Sequence, residues 1–147
     1  MNEGYYLEDL EIGMSASFSK TVTDADIVLF AGVSGDMNPV HLSQEFAEQT
    51  MFKGRIAHGM LSAGFISAAF GTRLPGPGCI YLSQSLRFRA PVKVGDTVTA
   101  KVTVKAMDME RRRVTFDTVC TVRDRVVVDG EALLMVASRA EATQAAE

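Results

Sequence analysis

The sequence predicts an α+β fold, an antiparallel β-sheet wrapped around one long buried α-helix, and three observations predict it. The spacing of apolar residues changes from a helical period in the first half to strict alternation in the second. Residues 58–71, HGMLSAGFISAAFG, are apolar or small all the way round a helix, so that helix is expected to be buried on every side. Several consecutive strands with one polar face each need a partner for the apolar face, and this helix is the only sufficiently apolar element. With 147 residues, 47% of them hydrophobic, the chain can fill one core. Residues 1–147 are therefore read as a single domain, with 140–147, AEATQAAE, as a flexible tail lacking large apolar side chains.

The elements follow in order. Residues 15–22 alternate loosely, Ala16 and Phe18 against Ser17 and Ser19, as a first strand. Thr23 and Asp26 stand in capping-box spacing before IVLFAGVSG, where Ile27, Phe30, Ala31 and Val33 form an inward stripe and Gly35 ends the helix. Ser43 can cap a short helix through QEFAEQT, with Phe46 and Ala47 facing inward. After the helix at 58–71, residues 79–90 put Ile80, Leu82, Leu86 and Phe88 on one face of a strand that Pro91 stops. Gly95 and Asp96 make the turn into 97–106, where Val98, Ala100, Val102 and Val104 alternate with polar residues. The pattern recurs in 113–123 and 126–138, with turns near Glu110-Arg111 and Asp124-Arg125.

Charge narrows the function. A net charge of −3 lacks the basic excess that binding a phosphate backbone needs, which argues against nucleic acid as a partner. The opening MNEGYYLEDLEIG has neither the basic start nor the apolar run of a signal peptide, and no apolar block approaches the ~20 residues that span a bilayer. A cytoplasmic protein with no membrane partner is expected. Cys79 and Cys120 lie in apolar strands without CxxC spacing and read as small hydrophobes. No metal-ligand cluster, phosphate-cradling glycine loop or nucleophile elbow is present in the sequence.

Chemistry concentrates in GDMNPVHL, residues 35–42. Gly35 permits a tight turn, Asn38 is biased to an extended conformation by Pro39, and Pro39 fixes its own φ, so Asp36 and His41 sit on a stiffened loop. A carboxylate and an imidazole with an unperturbed pKa of ~6.5 can share one water in general acid–base work. The alternative is that Asp36 caps a turn and His41 fills a half-buried loop position. AHGML opens the central helix, and the free N–H groups near Gly59 and Met60 can donate to a ligand oxygen on which charge develops. An ordinary helix start with His58 as a polar cap accounts for the same residues. ERRR at 110–113 reads as a solvated turn or a phosphate-contacting patch, and Arg87 and Arg89 as surface ion-pair partners or ligand clamps.

The stretches SGDMNPVHLSQEFAEQTMFKGRIAHGMLSAGFIS and LRFRAPVKVGDTV closely resemble the hydratase motif, and the strand-turn-strand after it, of the MaoC-like (R)-specific enoyl-CoA hydratases. The resemblance runs from about Tyr6 to about Ala137. It implies a hot-dog fold and a homodimer that adds water to trans-2-enoyl-CoA, giving (R)-3-hydroxyacyl-CoA, with no metal or redox cofactor. Carried over residue by residue, the catalytic pair falls on Asp36 and His41, and the oxyanion donor on the Gly59 N–H. Asn38, His58 and Ser67 make up the expected substrate-binding set, with packing an alternative for Ser67. The same fold hosts 3-hydroxyacyl-carrier-protein dehydratases and thioesterases, and a non-catalytic acyl-thioester-binding subunit is a further alternative.

Overall fold

A computed structural model describes residues 3–141. After a short 3-10 turn at Leu7–Asp9, the chain enters strand β1, Ser15–Thr21, and helix α1, Asp24–Ser34. The capping box at the start of α1 is complete. Thr23 Oγ1 accepts from the Asp26 N–H, and the Asp26 carboxylate accepts from the Thr23 N–H. Gly35 ends the helix with φ +79°, a conformation that favours glycine. Two short helices follow, α2 at Pro39–Leu42 and α3 at Gln44–Glu48, and then the central helix α4, Gly59–Thr72. The remainder is strand: β2 Ile80–Gln84, β3 Arg87–Phe88, β4 Thr97–Asp108, β5 Arg113–Val122 and β6 Arg125–Met135.

One antiparallel sheet runs β1-β4-β5-β6-β2, with β3 pairing β6 beside β2. Register slips between Val104 and Ala106 and between Cys120 and Thr121 mark bulges, which increase twist and help the sheet curve around α4. The strict alternation of β4 and β5 decides what is buried. Val98, Ala100, Val102 and Val104, then Val114, Phe116, Thr118 and Cys120, face α4 and are closed to solvent. From α4, Phe65, Ile66, Ala69 and Phe70 meet them, with the Phe70 and Phe116 rings edge to face at 4.9 Å. Burial pushes the Cys120 thiol up to about 12, and both cysteines are free.

Three expectations need correction. Helix α4 is not buried on every side: Met60, Gly64, Ser67 and Gly71 form an open stripe, because the sheet covers only the opposite face. The strand expected over 79–90 is broken into β2 and β3, since Ser85 crosses over Gly130 so closely that a side chain there would strike the Ser85 carbonyl. Ile80, Leu82 and Phe88 are consequently exposed on an edge. Val33 and Phe46 also face outward, and Ile27, Ala31 and Ala47 alone bury their helices' inner faces. At the C-terminal end, the Ala140 N–H donates to Ser138, and Glu141 pairs with Arg112. Residues 142–147 of the expected tail lie outside the described residues. Among the described residues no helix is long and apolar enough to cross a membrane.

Candidate active site

The loop between α1 and α2 is shaped by its own polar side chains. The Asp36 N–H donates to Ser34 Oγ at 3.1 Å, and Asp36 Oδ1 accepts from the Asn38 N–H at 3.2 Å. Asn38 Oδ1 in turn accepts from the Val40 N–H at 3.2 Å, which makes Asn38 the N-cap of α2 with Pro39 as its first residue. The stretch expected to be irregular is therefore one helical turn, and His41 projects from it.

His41 is 8% exposed, and its Nδ1 lies 2.8 Å from the Ile56 carbonyl. A carbonyl only accepts, so Nδ1 carries the proton and Nε2 of the neutral ring is a bare acceptor. Arg55 braces the same turn from behind. Its Nε donates to the His41 carbonyl at 2.6 Å, and its Nη1 to Asp24 in the first turn of α1. The carboxylate of Asp36 and one ring nitrogen each of His41 and His58 lie within 4.8 Å of one another.

His58 is 2% exposed and gives α4 no side-chain cap. Its Nε2–H donates to the Asp36 carbonyl at 3.0 Å, and its ring stacks on His41 with centroids 3.8 Å apart. Gly59 and Met60, the first two residues of α4, thus carry N–H groups with neither an intrahelical acceptor nor a side-chain cap. Gly59 is packed tightly: a Cβ there would lie 2.5 Å from two carbons of the Phe88 ring. A cleft of about 410 Å³ runs past these groups, lined among others by His41, Ile56, Gly59, Ser62, Phe88 and Arg125.

Two histidines and a carboxylate are also a metal-ligand set, but their geometry does not fit one. A metal sits in the plane of each imidazole along its lone pair. The planes of His41 and His58 are stacked at 29°, so their lone pairs run side by side instead of converging. His41 Nδ1 and His58 Nε2 are moreover engaged with backbone carbonyls.

Of the residues the sequence singled out, the structure brings together Asp36, His41, His58 and Gly59. Asn38 shapes the loop through its cap. Ser67 lies elsewhere, on the open stripe of α4, in a second groove of about 490 Å³ with Phe30, Met60, Gly64, Leu82 and Leu86. The serine in the cleft is Ser62, one turn into α4 and 2% exposed. Arg55, Phe88 and the Ile56 carbonyl lie within the family-like stretches but have no site role legible in the sequence, and their place at the site is found only in three dimensions. Arg89 lines the cleft while paired with Asp129 at 3.1 Å. The turn at 109–112 stands at the other end of the sheet, since Arg113 pairs Met135 whereas Val122 pairs Arg125 beside the cleft.

A family model described as MaoC like domain matches residues 9–126. The chain is 59% identical over 135 residues, 92% of its length and 94% of the relative's, to an (R)-specific enoyl-CoA hydratase of Rhodospirillum rubrum. It is 53% identical over 137 residues, 93% of its length and 87% of the relative's, to a 3-hydroxybutyryl-CoA dehydratase of Methylorubrum extorquens. Among solved structures, an unliganded R-hydratase from Pseudomonas aeruginosa superposes with a TM-score of 0.88 at 45% identity, covering 92% of this chain and 88% of that one.

Proposed function

Because the chain belongs to the MaoC-like domain family, we propose that it is an (R)-specific enoyl-CoA hydratase in which Asp36 and His41 hold the water and the Gly59 N–H receives the thioester oxygen. The observation that carries this is the orientation of His41. With Nδ1–H committed to the Ile56 carbonyl, the ring has Nε2 left to accept a proton, and the Asp36 carboxylate is close enough to share the same water and to stabilise the imidazolium that forms. The water oxygen bonds to C3 as its proton passes to Nε2, and electron density moves through C2 onto the thioester oxygen. Charge developing there is met by the free N–H at the start of α4, where the helix dipole favours it. Nε2 then returns the proton to C2 on the face that water attacked, which is a syn addition, and neither carrier nor protein is left oxidised or reduced.

Crotonyl-CoA tests the reading. Loss of the enoyl-thioester ultraviolet absorbance, with (R)-3-hydroxybutyryl-CoA as the product, is expected; release of free thiol at the same rate would instead make the protein a thioesterase. The acyl-CoA partner belongs to this reading, as do a single domain over residues 1–147 and a cytoplasmic setting. So does a homodimer: β2 is a free edge carrying exposed Ile80 and Leu82, and a second copy paired along it would cover both and the open stripe of α4. Sedimentation at twice the chain mass is expected, and a monomer at assay concentration would overturn the dimer.

A further inference from the structure

His58 has an unusual combination of contacts for a buried residue. Its ring lies between Phe30 of α1, with centroids 4.8 Å apart, and His41, at 3.8 Å. Its Nε2–H is committed to the Asp36 carbonyl, so Nδ1 is a bare acceptor. That Nδ1 is buried and has no hydrogen-bond partner. An unsatisfied buried acceptor is a cost that packing alone would remove, because a phenyl ring would fill the same slot between Phe30 and His41 without it. What the phenyl ring would lack is the donor that ties down the backbone of Asp36.

We infer that His58 is a positioning residue for the acid–base pair: one edge of its ring anchors the Asp36 backbone and one face sets the plane of His41, so a single side chain fixes the distance between the two. This rests on the hydratase reading but adds to it a residue that acts through both members of the pair rather than on the substrate. The inference accounts for the orphan nitrogen, since an imidazole that donates from Nε2 necessarily carries Nδ1 on its other side. It accounts also for the depth of His58, which at 2% exposure is more closed to solvent than His41 at 8%.

His58→Phe and His58→Gln separate the parts. Phe keeps the ring between Phe30 and His41 and loses the donor; Gln keeps an N–H within reach of the Asp36 carbonyl and loses the ring. For His58→Phe we expect a thermal midpoint equal to or above wild type, because the orphan acceptor is gone, together with a fall in kcat on crotonyl-CoA of ~10- to 100-fold, the scale of an ångström of misplacement at a reacting centre. KM should stay within about threefold, as for an interaction not made with bound substrate. His58→Gln should recover part of the lost kcat. In an Asp36→Asn background, His58→Phe should cost much less, since the carboxylate whose backbone the lost donor anchors is gone. A kcat unchanged by His58→Phe, a loss carried by KM alone, or the same additional loss in the Asp36→Asn background would each overturn the inference. One arm does not depend on turnover and so separates this failure from failure of the hydratase reading. In imidazole 15N–1H NMR of the resting protein, wild type should show His41 protonated at Nδ1 and His58 at Nε2, and His58→Gln, which removes the ring face, should shift or broaden the His41 signals. His41 signals unchanged in that variant would sink the inference even if the protein acted on no enoyl thioester.

Discussion

Gly59→Ala puts a single methyl group where the proposed thioester oxygen approaches. The added Cβ would sit 2.5 Å from Cδ1 and Cε1 of Phe88, so the ring must retreat about 1 Å to reach an ordinary carbon contact of ~3.5 Å. Phe88 is 56% exposed and can yield into solvent. Alanine is also the better helix former by ~0.5–1 kcal/mol. The variant should therefore fold, with a stability change of at most about 1 kcal/mol in either direction. Catalysis should suffer far more, because the methyl group and the displaced ring both intrude on the cleft beside the Gly59 N–H. Loss of one oxyanion donor costs ~10²–10³ in kcat, and misplacement by 1 Å ~10². We expect a kcat near one hundredth of wild type on crotonyl-CoA, read by the decay of enoyl absorbance, with an unchanged circular dichroism spectrum. A folded Gly59→Ala protein turning over within twofold of wild type would refute the assignment of the oxyanion donor to the start of α4.

Two further predictions concern stability. Phe116→Ala empties the centre of the sheet face under Phe70 and should cost ~3–5 kcal/mol in urea unfolding; a loss under about 1 kcal/mol would mean that the core is not packed as described. The second concerns Asp26. A hydrogen bond from the Lys20 ammonium, at 2.7 Å, is the largest cause holding its carboxyl below the usual carboxylate range, helped by the Thr23 N–H. A depressed folded value contributes stability above the unfolded value of ~3.9 that is lost as pH falls through the folded value. Lys20→Met should thus be less stable than wild type near pH 6, with the gap closing as pH falls below about 4; a gap that widens in acid would contradict the pairing.

How much of this the sequence could show depended on how local each cause is. The capping box at Thr23 and Asp26, the stop at Gly35 and the buried rows of β4 and β5 follow from contacts within a few residues or from strict alternation, and all were legible. Val33 and Phe46 misled because a helical stripe gives a direction around the axis but not which neighbour arrives there. Small residues on α4 misled in a related way: Gly64, Ser67 and Gly71 are as compatible with an open groove as with a packed interior. Helix α2, four residues long, has too few positions to show a period. Asp36, His41 and Gly59 could be singled out by residue type and spacing. The tautomer of His41 could not, since it is set by the Ile56 carbonyl, and every residue has a carbonyl. Nor could the place of His58, whose role as a cap is excluded by the direction its ring takes, towards Asp36 rather than the α4 amides.

The measurement that bears most directly on the water-holding pair is kcat of Asp36→Asn on crotonyl-CoA beside wild type. Asparagine keeps an Oδ1 that can accept from the Asn38 N–H, so the loop and the thermal midpoint should be preserved while the charge is removed. A fall of ~10²–10⁴ in kcat, the range general acid–base catalysis contributes, with (R)-3-hydroxybutyryl-CoA as the wild-type product, is the predicted result. Wild-type turnover by folded Asp36→Asn would contradict the account at its centre.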